Sequence, residues 1–189
     1  GTNNPTFSPN FQYFITTFSS ATQPTTYTLN DAKNGKEIQV IENNEALANK
    51  IKAYNLPSKE FFVLKTEKGN ELNAWILKPK DFDPNKKYPV FMYQYSGPGS
   101  QQVNNDWNST DDYWFMMLTQ KGYIVACVDG RGTGFKGADF KKVTQKDLGK
   151  FEVEDQIDAA KVIGNYPFID KNRIGIFGWS FGGFMASNC

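Results

Sequence analysis

Apolar and aromatic side chains alternate with polar ones over residues 11–18 and again over 25–29, the period of two that marks half-buried strands. Ser19-Ser20 interrupts the pattern, Asn34-Gly35 marks a tight turn, and residues 36–42 alternate once more, so the opening of the chain predicts a meander of three antiparallel strands. A sheet of that size has little to bury its apolar face against, and the pattern suits one blade of a propeller. From Asn44 to Pro57 the apolar positions Leu47, Ala48 and Ile51 move to helical spacing behind Asn44 as a candidate cap. A boundary placed there divides the chain into 1–44 and 45–189.

Residues 60–66 and 71–77 around Lys68-Gly69-Asn70 read as a hairpin, and a loop follows at Pro79, Pro84 and Asn85. Beyond Tyr88, apolar strands at 90–95, 123–128 and 173–177 alternate with helical stretches at about 109–120 and 153–163. That order is βαβαβ. Strands apolar on both faces, joined by helices that turn Ile157, Ala160, Val162 and Ile163 inward, predict an α/β fold: a mostly parallel sheet with helices on both faces.

The composition is that of a folded domain, with 39% hydrophobic, 15% aromatic and 22% charged residues. Twenty-one Lys and Arg face 20 Asp and Glu for a net charge of +1, which leaves no basic footprint for nucleic acid and no polybasic membrane anchor. The apolar run at 123–128 is far shorter than the ~18 residues of a membrane segment. There is no histidine, so a self-contained Ser-His-Asp triad is excluded. Cys127, inside an apolar run, and Cys189 form neither a disulfide framework nor a CxxC metal pattern.

The sharpest chemical signal is Gly178-Trp179-Ser180-Phe181-Gly182-Gly183, directly after the strand at 173–177 and leading into the helix-like Phe184-Met185-Ala186. In a G-x-S-x-G nucleophile elbow the chain turns so sharply from strand to helix that only glycine allows the neighbouring backbone to approach. The Ser180 hydroxyl then stands exposed. The backbone N–H of Phe181 and the positive end of the new helix face the place where an oxyanion forms. Gly132-Thr133-Gly134-Phe135-Lys136-Gly137 spells the dinucleotide fingerprint, yet no amphipathic helix opens on it and no acidic strand tip follows. A turn that permits close backbone approach is the better reading.

Tyr95, in Tyr95-Ser96-Gly97-Pro98-Gly99 at the carboxyl end of a strand, is either a packing residue or a neutral phenol able to donate to an oxyanion. Glu152, Glu154, Asp155 and Asp158 read as carboxylates at the positive end of a helix, a weak oxygen-only metal site at best. Asn108-Ser109-Thr110 fits a glycosylation sequon.

Three stretches together resemble the prolyl oligopeptidase family of serine peptidases. They are the elbow at 178–183, the strand and turn carrying Tyr88-Pro89 and Tyr95-Ser96-Gly97-Pro98, and the run Val128-Asp129-Gly130-Arg131-Gly132-Thr133-Gly134 with its later Phe151-Glu152-Val153-Glu154-Asp155-Gln156. The resemblance covers about residues 47–189, and Trp179 ahead of the serine marks the dipeptidyl peptidase branch. It implies an α/β-hydrolase, here truncated to its first half, behind the last-blade strands of an N-terminal β-propeller. It further implies Ser180 as the acylating nucleophile, and Tyr95 with the Phe181 N–H as the oxyanion hole. The substrate would be a peptide with a free N-terminus, shortened by an Xaa-Pro or Xaa-Ala dipeptide, with no cofactor and no metal. An extracytoplasmic setting and a homodimeric whole protein follow from the same likeness. Members commonly carry Tyr after the nucleophile, and Phe181 lacks that hydroxyl. Because α/β-hydrolases order their triad Ser, Asp, His, both partners are expected beyond Cys189 and the chain alone is expected to be inactive. A tripeptidyl peptidase, an esterase of the same fold or a non-catalytic binding module are the alternatives.

Overall fold

The computed structural model describes residues 1–107 and 109–189, which form two compact units. Asn108 of the sequon lies outside the described residues.

The first unit comprises Gly1–Ser58 with Asn104–Asp112. Its sheet has four strands, β1 (Thr2–Phe7), β2 (Tyr13–Ser20), β3 (Gln23–Asp31) and β4 (Glu37–Glu42), paired antiparallel in chain order. The expected meander of three therefore gains β1. Its Asn-rich sequence carries no alternation, and Pro5, opposite Thr16, is tolerated because an edge strand can leave one N–H missing on its open side. The β3–β4 connection is the Asn34-Gly35 turn, with Gly35 at φ 71°. Residues 105–107 attach to this sheet: Ala21 N–H donates to Asn105 Oδ1 at 3.0 Å, and Trp107 N–H to Ser19 Oγ at 3.1 Å. Helix α1 (Glu45–Tyr54) forms where expected, but Asn44 does not cap it with its side chain. Asn44 sits at φ 51° and donates from Nδ2 to the Thr25 carbonyl at 2.6 Å, while Asn43 Oδ1 accepts from Glu45 N–H.

The second unit comprises Lys59–Val103 with Tyr113–Cys189. Five strands, β5 (Glu60–Lys65), β6 (Glu71–Leu77), β7 (Tyr88–Tyr93), β8 (Ile124–Asp129) and β9 (Ile169–Phe177), lie in the order β5-β6-β8-β7-β9. β8, β7 and β9 run parallel, as alternation with helices requires, and the β5–β6 hairpin adds antiparallel strands through β6 to β8, so the sheet is mixed. The α/β class predicted from the sequence is the one observed. Alternation of side chains sorts the core into two faces. Ala74, Ile76, Met92, Ala126 and Val128 turn one way, against Ala159 and Ile163 of helix α4 (Lys150–Gly164). Trp75, Leu77, Tyr93, Val125 and Cys127 turn the other way, against Phe115 of helix α2 (Ser109–Gln120). Each fully buried aliphatic side chain among them contributes about 1.5–3 kcal/mol. The short helix α3 (Ala138–Lys142), too brief to show a period, is fastened by a hydrogen bond from Gly132 N–H to the Phe140 carbonyl, and α5 (Phe181–Asn188) follows β9.

Asp129 ends β8 with its carboxylate buried, accepting from the backbone N–H groups of Gln102 and Val103, the latter at 2.8 Å. Burial pushes its carboxyl from the usual 3.8 up to about 6, against the pull of those two hydrogen bonds. The folded state thus favours the proton. Its stabilising contribution is complete below pH 3.8 and is lost as pH rises through 6, a difference on the order of 3 kcal/mol. Thermal and denaturant unfolding of Asp129→Asn and wild type should therefore show the variant gaining about that much, relative to wild type, between pH 4 and pH 7.

Candidate active site

β9 ends at Phe177 and α5 begins at Phe181, so the chain reverses from strand to helix within Gly178, Trp179 and Ser180. Ser180 holds φ 53°, ψ −121°, outside the wells natural to an L-residue, and its side chain is exposed. A conformation of that kind costs about 1–3 kcal/mol and persists only where its surroundings enforce it. Here they do so through glycine. A Cβ at Gly178 would lie 2.5 Å from the Gly182 carbonyl and 2.6 Å from the Gln94 carbonyl oxygen, and one at Gly182 would lie 2.6 Å from that same oxygen. The end of β7 therefore presses against the elbow. Backbone hydrogen bonds from Gln94 N–H to Phe177 O at 3.1 Å and from Gly182 N–H to Trp179 O at 2.9 Å close the junction.

Tyr95 follows Gln94 and lies beside this turn, half-buried, with its ring centroid 5.9 Å from Trp179 and 6.4 Å from Phe181. The ring folds back over its own loop: a Cβ at Gly97 would lie 2.5 Å from Tyr95 Cε1. Ser96, between them, is buried at φ 59°, its hydroxyl oxygen accepting from Gln156 Nε2 of α4 at 3.3 Å. Phe181 is half-buried and Trp179 is 63% exposed. Ser180, Tyr95 and the Phe181 amide thus gather at the carboxyl ends of the parallel strands β7 and β9, the end at which open α/β sheets place their ligands.

The acidic group behind this site is partnered differently from the expectation. Only Glu152 serves the helix end, accepting from Gly149 N–H at 3.0 Å. Asp155 is fully buried and takes Arg131 from three sides, through its backbone N–H at 2.7 Å, Nε at 3.0 Å and Nη2 at 2.7 Å, while Glu154 accepts from Nη2 at 2.6 Å. Lys68 bonds Glu154 and reaches Asp158 at 3.0 Å. Asp155 beside Arg131 raises the guanidinium pKa further, and Lys68 followed by Arg131 lowers that of Glu154. Removing one member of the buried Arg131–Asp155 pair costs about 3–5 kcal/mol. The sequence reading placed Arg131 in the run of the family resemblance but did not find its ion pairs with α4, whose signal was a basic residue two positions after an apolar strand.

The glycines at 132–137 lace loops together. Gly99 N–H donates to Gly132 O and Gly134 N–H to Ser100 O, both at 2.8 Å, and a Cβ at Gly132 would lie 2.7 Å from Thr144. Close approach is their function in the fold. Among the described residues no group of three or more His, Cys, Asp or Glu side chains converges to hold a metal ion, and no helix is long and apolar enough to cross a membrane.

A mixed sheet whose parallel strand β9 turns through an exposed, strained serine into a helix has the strand–turn–helix geometry of the α/β-hydrolase class. Residues 108–189 match the prolyl oligopeptidase family model. The chain is 39% identical to dipeptidyl peptidase 4 of Trichophyton equinum over 184 residues, 96% of this chain and 24% of that protein. Dipeptidyl peptidase 4 of Arthroderma otae gives the same identity and coverage. The crystal structure of Porphyromonas gingivalis dipeptidyl peptidase 4 superposes with a TM-score of 0.95 at 50% identity, over 100% of this chain and 26% of that one. The chain belongs to the prolyl oligopeptidase family, and these relatives are dipeptidyl peptidases. It spans about a quarter of the length of the curated relatives it matches.

Steric exclusion at the elbow has a direct check. Gly178→Ala places its methyl group against two carbonyls and should lower stability by about 1–3 kcal/mol in denaturant unfolding. Gly183→Ala meets only the Gly178 carbonyl at an ordinary 3.4 Å and lies within α5, so it should leave stability unchanged or raise it by up to about 1 kcal/mol.

Proposed function

We propose that the whole protein carrying this sequence is a serine exopeptidase that removes Xaa-Pro or Xaa-Ala dipeptides from peptides with a free N-terminus. The observation that supports this most is the exposed Ser180 at positive φ with Tyr95 alongside, in a chain of the dipeptidyl peptidase type. Ser180 Oγ attacks the scissile carbonyl while its proton passes to a histidine base. The sequence holds no histidine, so this base comes from residues outside it, and the Ser, Asp, His order of α/β-hydrolases puts its carboxylate partner there as well. The tetrahedral oxyanion accepts from the Tyr95 hydroxyl and the Phe181 N–H, at the positive end of α5. Collapse of the intermediate breaks the C–N bond, the base returns its proton to the leaving amine, and the dipeptidyl ester on Ser180 is released by water in a second, equivalent round.

In this reading residues 1–44 are strands of the last propeller blade and 45–189 the first half of the catalytic domain. The dipeptidyl peptidase likeness further supports an extracytoplasmic setting and a homodimer. Phe181 offers the substrate a ring but no hydroxyl.

The full-length protein should hydrolyse a Gly-Pro amide and take a fluorophosphonate at Ser180, and Ser180→Ala should abolish both. Tyr95→Phe should lower kcat by about 10²–10³-fold, the usual loss for one oxyanion donor. The 189-residue chain alone should show no turnover. Release of tripeptides, or of esters only, from a substrate panel would reassign the specificity.

A further inference from the structure

Gln94 directly precedes Tyr95 at the carboxyl end of β7. By strand alternation it follows Val90 and Met92 onto the α4 face of the sheet, where an apolar side chain would ordinarily sit. It is fully buried. Its Nε2 donates to the Gly182 carbonyl at 2.7 Å, whereas its Oε1 meets no hydrogen-bond partner among the described residues. A buried amide oxygen left without a donor costs stability, so an apolar residue of the same shape would serve the fold as well or better.

The position of the single hydrogen bond indicates what the amide does instead. Gln94 is one residue before Tyr95, and Gly182 is one residue after Phe181. The two donors assigned to the oxyanion thus belong to different elements, the end of β7 and the first turn of α5, and this amide bridges the residues that flank them. The glycine contacts limit only how closely those elements approach, and the backbone bond from Gln94 N–H to Phe177 O ties β7 to the end of β9 without reaching α5. We propose that Gln94 is a positioning residue of the oxyanion site, its amide fixing the spacing between the Tyr95 hydroxyl and the Phe181 N–H. The proposal rests on the reading of Ser180 as nucleophile. Donors act on an oxyanion only at about 2.7–3.1 Å, and a slip on the order of 1 Å lowers a rate by up to about 10²-fold.

The test uses the full-length protein and a Gly-Pro amide substrate. Gln94→Met keeps the shape and removes the donor together with the orphaned oxygen. It should lower kcat by about 10- to 100-fold with KM unchanged and the melting temperature unchanged or raised. Affinity for a dipeptide boronate, whose adduct on Ser180 mimics the tetrahedral state, should fall by the same factor, and affinity for the product dipeptide should hold. Gln94→Glu supplies a second reading: the buried carboxyl titrates above the usual range, and only its neutral form can donate to the Gly182 carbonyl. The ratio of variant to wild-type kcat should therefore climb as pH falls. Wild-type kcat in Gln94→Met overturns the proposal. So does a loss of kcat matched by a falling melting temperature with boronate and product affinities equally affected, a Gln94→Met protein that fails to fold, or a pH-independent ratio for Gln94→Glu. Failure of the underlying reading is distinct: the wild-type protein would then neither react with a fluorophosphonate at Ser180 nor hydrolyse the amide.

Discussion

Gly178 and Gly182 approach the Gln94 carbonyl so closely that a methyl group at either would lie 2.6 Å from it. This contact sets the distance between the end of β7 and the turn after β9, and the rest of the site is arranged around it. Without it Ser180 has no reason to keep its positive φ, since a relaxed turn would recover about 1–3 kcal/mol. The same approach delivers Tyr95 to the side of the elbow, because Tyr95 continues the backbone that the glycines admit. Sheet, turn and helix are therefore coupled through a shape that no side chain larger than hydrogen can enter.

Charge does the corresponding work behind the sheet. β8 is buried along its whole length and supplies two polar anchors beyond its last apolar residue. Asp129 gathers the 102–103 backbone, and Arg131 clasps Asp155 and Glu154 on α4. Loop and helix are thereby fixed to one strand end from opposite sides. Ser96, reached by Gln156 from the same helix, extends that rigidity to the residue next to Tyr95. A loop bearing a proposed oxyanion donor is thus held by contacts from α4, α5 and the adjacent loop at 132–134, which limits its entropy before any substrate arrives.

The parts legible in the sequence were those whose cause is local. The apolar run of β8, the helical period of α4 and the hairpin at Lys68-Gly69-Asn70 announce themselves within a few residues, and the elbow does so because its glycines answer a steric demand of the turn itself. The strand β1 was hidden because Pro5 and the Asn-rich stretch carry no alternation and its pairing with β2 supplies the reason for its shape. Asn44 was legible as a helix-flanking residue but not as the partner of Thr25, nineteen positions earlier. Arg131 and its carboxylates are 23 and 24 positions apart, and Gln94 and Gly182 are 88 apart. A polar residue at an inward position of an apolar strand is the trace such a contact leaves in sequence, and only the fold shows what it meets.

Trp179, mostly in water beside Tyr95, gives the proposed site an optical property of its own. Trp75 is sealed in the core and its environment is fixed, whereas the indole next to Ser180 is open to whatever settles over the turn. Its emission will shift toward the blue when an apolar dipeptide dehydrates it. Trp179 is the most exposed of the four tryptophans in this sequence, so the red edge of the emission reports occupancy of the proposed site without a label and without turnover.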